Sequence, residues 1–297
     1  MPHNSTNEPG EPSPSCASFS APTVWFAFTP TTTATMSAFA GKSGYQFLFA
    51  VYSGSSLASL DETACGIGGI TFRAEAGVTY YFQVLTNSFL DFRLEVTPPP
   101  NTDFYYYPGD PTPFDIVQFY DSSYDPGGIG IESRSGDFGD GSTSTAQNPT
   151  HSFAADGDYT VRLSVTTYDG RTGSVSRVVK VATHDVAITK FTVPTSASSG
   201  RTRQITVGIS DSRYPETMQV QLFKSNSSGF ALVGTLTQSV PVRPTNRTTA
   251  FTFNYTFTKA DAALGKVTFR AEASIQGYRD ALPADNVAIS LPTKATK

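Results

Sequence analysis

Residues 136–147 read GDFGDGSTSTAQ, and the Asp137-Phe138-Gly139 triplet inside them has the spacing by which an aspartate meets a nucleotide-bound magnesium ion. That chemistry needs a glycine-rich loop over the phosphates and an H-R-D-type loop upstream, and the chain has neither. The nearest echo of a phosphate-pairing lysine, VAITK, ends at Lys190, after the triplet. A structural turn explains every letter instead. Gly139 and Gly141 supply positive φ, and Asp140-Gly141 is a strong turn dipeptide. Asp137 and Asp140 can accept backbone N–H groups, and Phe138 points inward.

Other residues able to do chemistry are few. Asp121 and Asp125 stand four apart in YDSSYDPGG. Calcium takes six to eight oxygens, so two carboxylates with nearby carbonyls could begin a structural calcium site. A pair of Asx turns in a solvated loop is the preferred alternative, and no other cofactor is indicated. The histidines, His3, His151 and His184, have no Ser or Cys nucleophile at a defined spacing, and zinc spacing is absent. No motif nominates a carboxylate pair for glycoside hydrolysis. The chain is therefore read as having no catalytic residues. Its two cysteines, Cys16 and Cys65, point to one disulfide, with two separate buried thiols as the alternative. The run Phe104-Tyr105-Tyr106-Tyr107 offers a contact surface: Tyr105, Tyr106 and Tyr107 could stack on sugar rings or anchor a protein partner. The competing reading is a first strand or interdomain wedge with alternate rings buried.

The elements that must carry these residues are strands. Of 297 residues, 38% are hydrophobic and 12% aromatic, enough to build cores, while only 15% are charged. Ser, Thr, Tyr, Phe and Val in place of Lys and Glu suit half-buried pleated surfaces. Period-two alternation recurs throughout, most clearly at Tyr159, Val161, Leu163 and Val165. One short helical turn is expected over 259–265, ending on Gly265. Pro98-Pro99-Pro100 and Thr183-His184 read as boundaries. The expectation is an all-β chain of three tandem β-sandwich domains, immunoglobulin-like or jelly-roll-like, in an elongated arrangement. A flexible tail occupies 1–15, and the sandwiches occupy 16–98, 99–183 and 184–297.

Three resemblances fit this division. FDIVQFYDSSYDPGG (114–128), GDFGDGSTSTAQNPTHSFAADGDYTVRLSV (136–165) and the closing SVSRVVKV resemble the PKD (polycystic kidney disease) domain, an immunoglobulin-like sandwich. Some relatives in that family bind calcium on the loop that here holds Asp121 and Asp125. The family usually has a large aromatic where this chain has Gly136, so the core there is expected to be filled from elsewhere, with Phe138 or Phe153 as candidates, or to be loosened. TVWFAFTP, FLFAVYSGSSLASLDETAC and AGVTYYFQV are similar to the bacterial pre-peptidase C-terminal domain, although Gly66-Ile67-Gly68-Gly69 replaces the acidic residues that can hold calcium in it. HDVAITKFTVP and ALPADNVAIS resemble CARDB-like adhesion sandwiches, which share a fibronectin-like architecture. These resemblances imply spacers, adhesive modules or accessories to enzymes.

A net charge of −4 without a basic block speaks against nucleic-acid binding, and no apolar run is long enough to insert in a membrane. MPHNSTNEPGEPSPS has neither the basic start nor the apolar stretch of a signal peptide. The reading is a non-catalytic structural or adhesion protein displayed outside a cell, or a decoration protein on a virion exterior. Its partners would be a protein assembly or a polysaccharide surface, with oligomer or lattice contacts. The alternative is the accessory, substrate-binding or spacer region of a secreted hydrolase such as a peptidase.

Overall fold

The computed structural model describes residues 9–42, 44–56, 59–86, 90–210, 213–242 and 247–297. Apart from the helix Lys259–Leu264 and a 3-10 turn at Pro283–Asp285, the regular elements described are strands. The all-β expectation holds, with sheets arranged as tandem sandwiches. The chain divides into two compact units, one of Met1–Tyr105, Phe119–Pro149 and Val161–Arg177, the other of Tyr106–Gln118, Thr150–Thr160 and Val178–Lys297. The middle segment, expected as one sandwich over 99–183, thus contributes residues to both.

In the first unit, one sheet has the order Thr23–Phe28, Tyr80–Leu85, Leu48–Ser53, Asp61–Ile67. Its companion places Ala34–Lys42 between Tyr45–Gln46 and Gly69–Ala74, with Asp91–Val96 also paired to Ala34–Lys42. Phe49, Val51, Phe82 and Val84 from the first sheet meet Met36, Ala38, Phe72 and Ala74 from the second in one core. Alternation makes this possible, because each strand turns every second side chain inward. The segment before Thr23 was expected to be flexible through residue 15, but it is anchored from Glu11 onward. The Glu11 carboxylate accepts hydrogen bonds from Thr23 Oγ1 at 2.7 Å and Trp25 Nε1 at 3.0 Å. Ser15 N–H donates to Glu62 at 2.8 Å, and Cys16 is disulfide-bonded to Cys65.

The second unit contains the C-terminal sandwich. Thr202–Ser210 lies between Ile188–Thr192 and Thr248–Thr256, and a facing sheet runs Gly229–Val240, Glu216–Asn226, Phe269–Ile275, Val287–Ile289. Thr248–Thr256 buries Thr249, Phe251, Phe253 and Tyr255 and exposes the residues between them. A smaller sheet pairs Ser196–Ser198 in parallel with Thr293–Thr296. The short helix starts with a capping box, in which Thr258 Oγ1 accepts from Asp261 N–H and Asp261 accepts from Thr258 N–H. It ends at Gly265, whose φ of 73° closes the last turn. Asp261 also takes Lys224 Nζ at 2.7 Å and the Tyr255 hydroxyl at 2.6 Å. Burial alone would raise its carboxyl, but these donors pull it down to about 2.

Candidate contact surface

The strand Phe104–Tyr107 is where alternation decides which rings reach solvent. Phe104 is 3% exposed and packs 6.1 Å from Phe119, whereas Tyr105 is 56% exposed. The neighbouring strand Val117–Asp121 alternates likewise, burying Val117 and Phe119 and turning Tyr120 outward. Tyr105 and Tyr120 therefore stack on the outer face, centroids 4.9 Å apart and planes 17° from parallel. Such a pair is a flat apolar platform rimmed by two hydroxyls. On the same strand, the Phe104 ring lies 5.3 Å from the Arg177 guanidinium, which pairs with Asp103 at 2.6 Å. Of the other two tyrosines in the run, Tyr107 is exposed and Tyr106 half-buried. The sequence reading overlooked Tyr120, although VQFYD carried the signal in its alternation.

The turn at 137–141 is built from side-chain caps. Asp137 Oδ1 accepts from Gly139 N–H at 2.8 Å, and Asp140 Oδ1 accepts from Ser142 N–H at 3.0 Å. Gly139 and Gly141 take φ of 80° and 93°, a region closed to most side chains. Phe138 is buried against Phe119, with centroids 5.2 Å apart. A cavity of about 30 Å³ remains where Gly136 lacks a ring, lined also by Phe104, Val161 and Leu163.

Asp121 and Asp125 are each taken up by an arginine. Asp121 accepts Arg134 Nε at 2.5 Å and Ser123 N–H at 2.8 Å. Asp125 binds Arg171 in a two-pronged pair at 2.8 and 3.0 Å and also accepts N–H from Gly127, Ile129 and Gly130. Burial pushes the Asp125 carboxyl up, but Arg171 and those N–H groups overrule it and hold it below the ordinary range. Both carboxylates thus face donors, the reverse of a calcium shell. Among the described residues, no three of His, Cys, Asp and Glu converge as a metal-ligand set.

Arg171 organises this end of the sandwich. Besides Asp125 it holds Asp169 at 2.6 Å and the Pro98 carbonyl at 2.6 Å. The histidines also have structural surroundings. His151 packs edge-on to Phe153, and His184 Nδ1 lies 2.9 Å from Glu216 Oε1. His3 lies outside the described residues. No described helix is long and apolar enough to cross a membrane.

Residues 99–182 match the family model of the PKD domain. A microbial collagenase of Vibrio alginolyticus is 39% identical over 84 residues, covering 27% of this chain and 10% of the collagenase. The chain thus spans about a tenth of the length of the curated relative it matches. The PKD1 domain of Epp from Vibrio anguillarum is 29% identical, covering 29% of this chain and 95% of that domain, with a TM-score of 0.26. The PKD1 domain of the Vibrio cholerae metalloprotease PrtV is 31% identical over 29% of this chain and 100% of that domain, also with a TM-score of 0.26. PKD domains are non-catalytic modules.

Proposed function

We propose that this chain is a non-catalytic accessory region of a secreted peptidase, acting outside the cell by holding an insoluble protein substrate. The exposed Tyr105–Tyr120 stack carries this reading, because it lies in the segment that resembles modules of a collagenase and a metalloprotease. Stacked tyrosines give a rigid apolar contact at little entropic cost, suited to the proline rings and peptide planes of a fibrous protein. The flanking sandwiches would serve as spacers. Co-sedimentation tests the proposal: the chain pellets with fibrous collagen and stays in solution with cellulose or chitin. Pelleting with the polysaccharides alone overturns it.

Surface display is the second reading, favoured by the outer face of the C-terminal sheet. There Leu232, Phe223, Arg270 and Ile289 stand in register across four strands, and Leu232 and Ile289 are exposed. Arg270 lies between the rings of Phe223 and Phe230, at 4.9 and 5.1 Å. Binding to intact cells or capsids that survives loss of the tyrosine pair would favour display.

A further inference from the structure

One end of the C-terminal sandwich gathers carboxylates that, among the described residues, pair with no lysine or arginine. Asp185 follows the boundary His184, Glu216 opens the strand Glu216–Asn226, and Asp280 and Asp285 lie on the segment after Phe269–Ile275. Glu216 is 4% exposed, and its Oε2 is buried with no hydrogen-bond partner. Asp185 Oδ1 and the neighbouring Asn286 Oδ1 are in the same condition. Buried acceptors without donors are rare, and a buried carboxylate without one is costly. The arginines of these loops are committed elsewhere, Arg213 to Asp156 at 2.9 Å and Arg279 to Asp115 and Asp110.

We propose that His184, Asp185, Glu216, Asp280 and Asp285 form a proton-operated latch, closed in mild acid and loosened toward neutral pH. The latch holds backbone as well as side chains. Ala281 N–H donates to the His184 carbonyl at 2.8 Å, and Val186 N–H donates to Asp280 at 3.0 Å. The His184 ring stacks on Tyr278 at 3.9 Å, with Tyr214 at 5.1 Å, and its Nδ1 meets Glu216. Tyr214 also reaches Asp156, which takes Thr183 and Arg213. Among the described residues, the charged groups acting on Asp185 are Asp285, Asp280 and Glu216, with His184 on Glu216.

Burial, then Asp285, Asp280 and Glu216, push the Asp185 carboxyl up to about 6. Burial also raises Glu216, against the pull of His184. A protonated Asp185 turns an orphan acceptor into a donor for its neighbours. As pH rises Asp185 gives up that proton, and its repulsion with Asp285, Asp280 and Glu216 loosens the contacts.

Amide hydrogen exchange on the full chain, corrected for the intrinsic pH dependence of exchange, tests the latch. Protection of the Val186 and Ala281 N–H groups should fall at least about tenfold between pH 5 and pH 8, and Asp185→Asn and Glu216→Gln should flatten that fall. Protection that is constant with pH, or a fall that persists in both variants, overturns the proposal. Carboxyl NMR of the unaltered chain gives an independent reading. An Asp185 midpoint near 6 supports the latch, whereas one at the ordinary value near 4 overturns it.

Discussion

Gly136 and Gly173 are strand glycines of the middle segment, but a methyl group added to each would meet different surroundings. At Gly136 it would first touch the Ser144 carbonyl at 3.5 Å, an ordinary contact beside the cavity. At Gly173 it would fall 2.4 Å from Thr102 Oγ1 and 2.5 Å from the Pro100 carbonyl, where backbone passes too closely for a side chain. Gly136→Ala should therefore stabilise by about 0.5–1 kcal/mol through strand propensity and lost unfolded-state freedom. Gly173→Ala should destabilise by about 1–3 kcal/mol through overpacking. Urea unfolding of the two variants checks both signs. Arg171 makes the larger claim. Asp125 and Asp169, with side chains 2% and 9% exposed, would lose their cation in Arg171→Ala, at a cost of about 3–5 kcal/mol by the same assay. Lysine cannot reproduce the two-pronged geometry, so Arg171→Lys should recover only part of that loss. The sequence could not have revealed this role, because Asp125 and Pro98 lie 46 and 73 residues from Arg171.

Elements were the most legible level. The alternation of Tyr159, Val161, Leu163 and Val165 is local, so it can be read before any partner strand is known, and those positions are the inward ones of Gly157–Thr167. The helix was visible for the same reason, since its cap Thr258 and its terminating Gly265 lie next to its two ends. Gly229–Val240 is harder to read, because it is an edge strand whose apolar residues stay largely exposed, blurring the pattern. Sheet order was also out of reach, because it depends on pairings such as Thr23 with Leu85 that only the folded chain brings together. The N-terminal sandwich carries one covalent tie of this long-range kind. Cys16 and Cys65 are separated by 49 residues, and on the chain-entropy account closing such a loop contributes about 4 kcal/mol. Replacing both with alanine should lower stability by about that amount, measured by denaturant unfolding of the double variant. The C-terminal core, which the disulfide does not touch, should keep its own protection pattern in hydrogen exchange.

For the molecule as a whole, two sets of carboxyls pull stability in opposite directions with pH. Asp125, Asp169 and Asp261 are held below the ordinary carboxylate range by Arg171, Lys224 and hydroxyl or N–H donors, against the opposing effect of burial. Their folded forms release protons that the unfolded chain binds, so their contribution is present above about pH 4 and is lost as pH falls further. Asp185 does the reverse. Its folded form keeps a proton that the unfolded chain gives up, so stability declines as pH rises from about 4 through 6. Thermal unfolding across pH should therefore give a maximum in mild acid, about pH 4–6, with the alkaline shoulder raised in Asp185→Asn.

The proposed function makes the stacked tyrosines the part of the molecule that meets substrate, and a binding isotherm on fibrous collagen tests that most directly. The double variant Tyr105→Ala/Tyr120→Ala removes only exposed rings, so its melting curve should stay close to that of the unaltered chain. Its affinity should fall at least about tenfold, as expected when an aromatic hot spot is truncated. An isotherm superimposable on that of the unaltered chain, with the fold intact, would contradict the account.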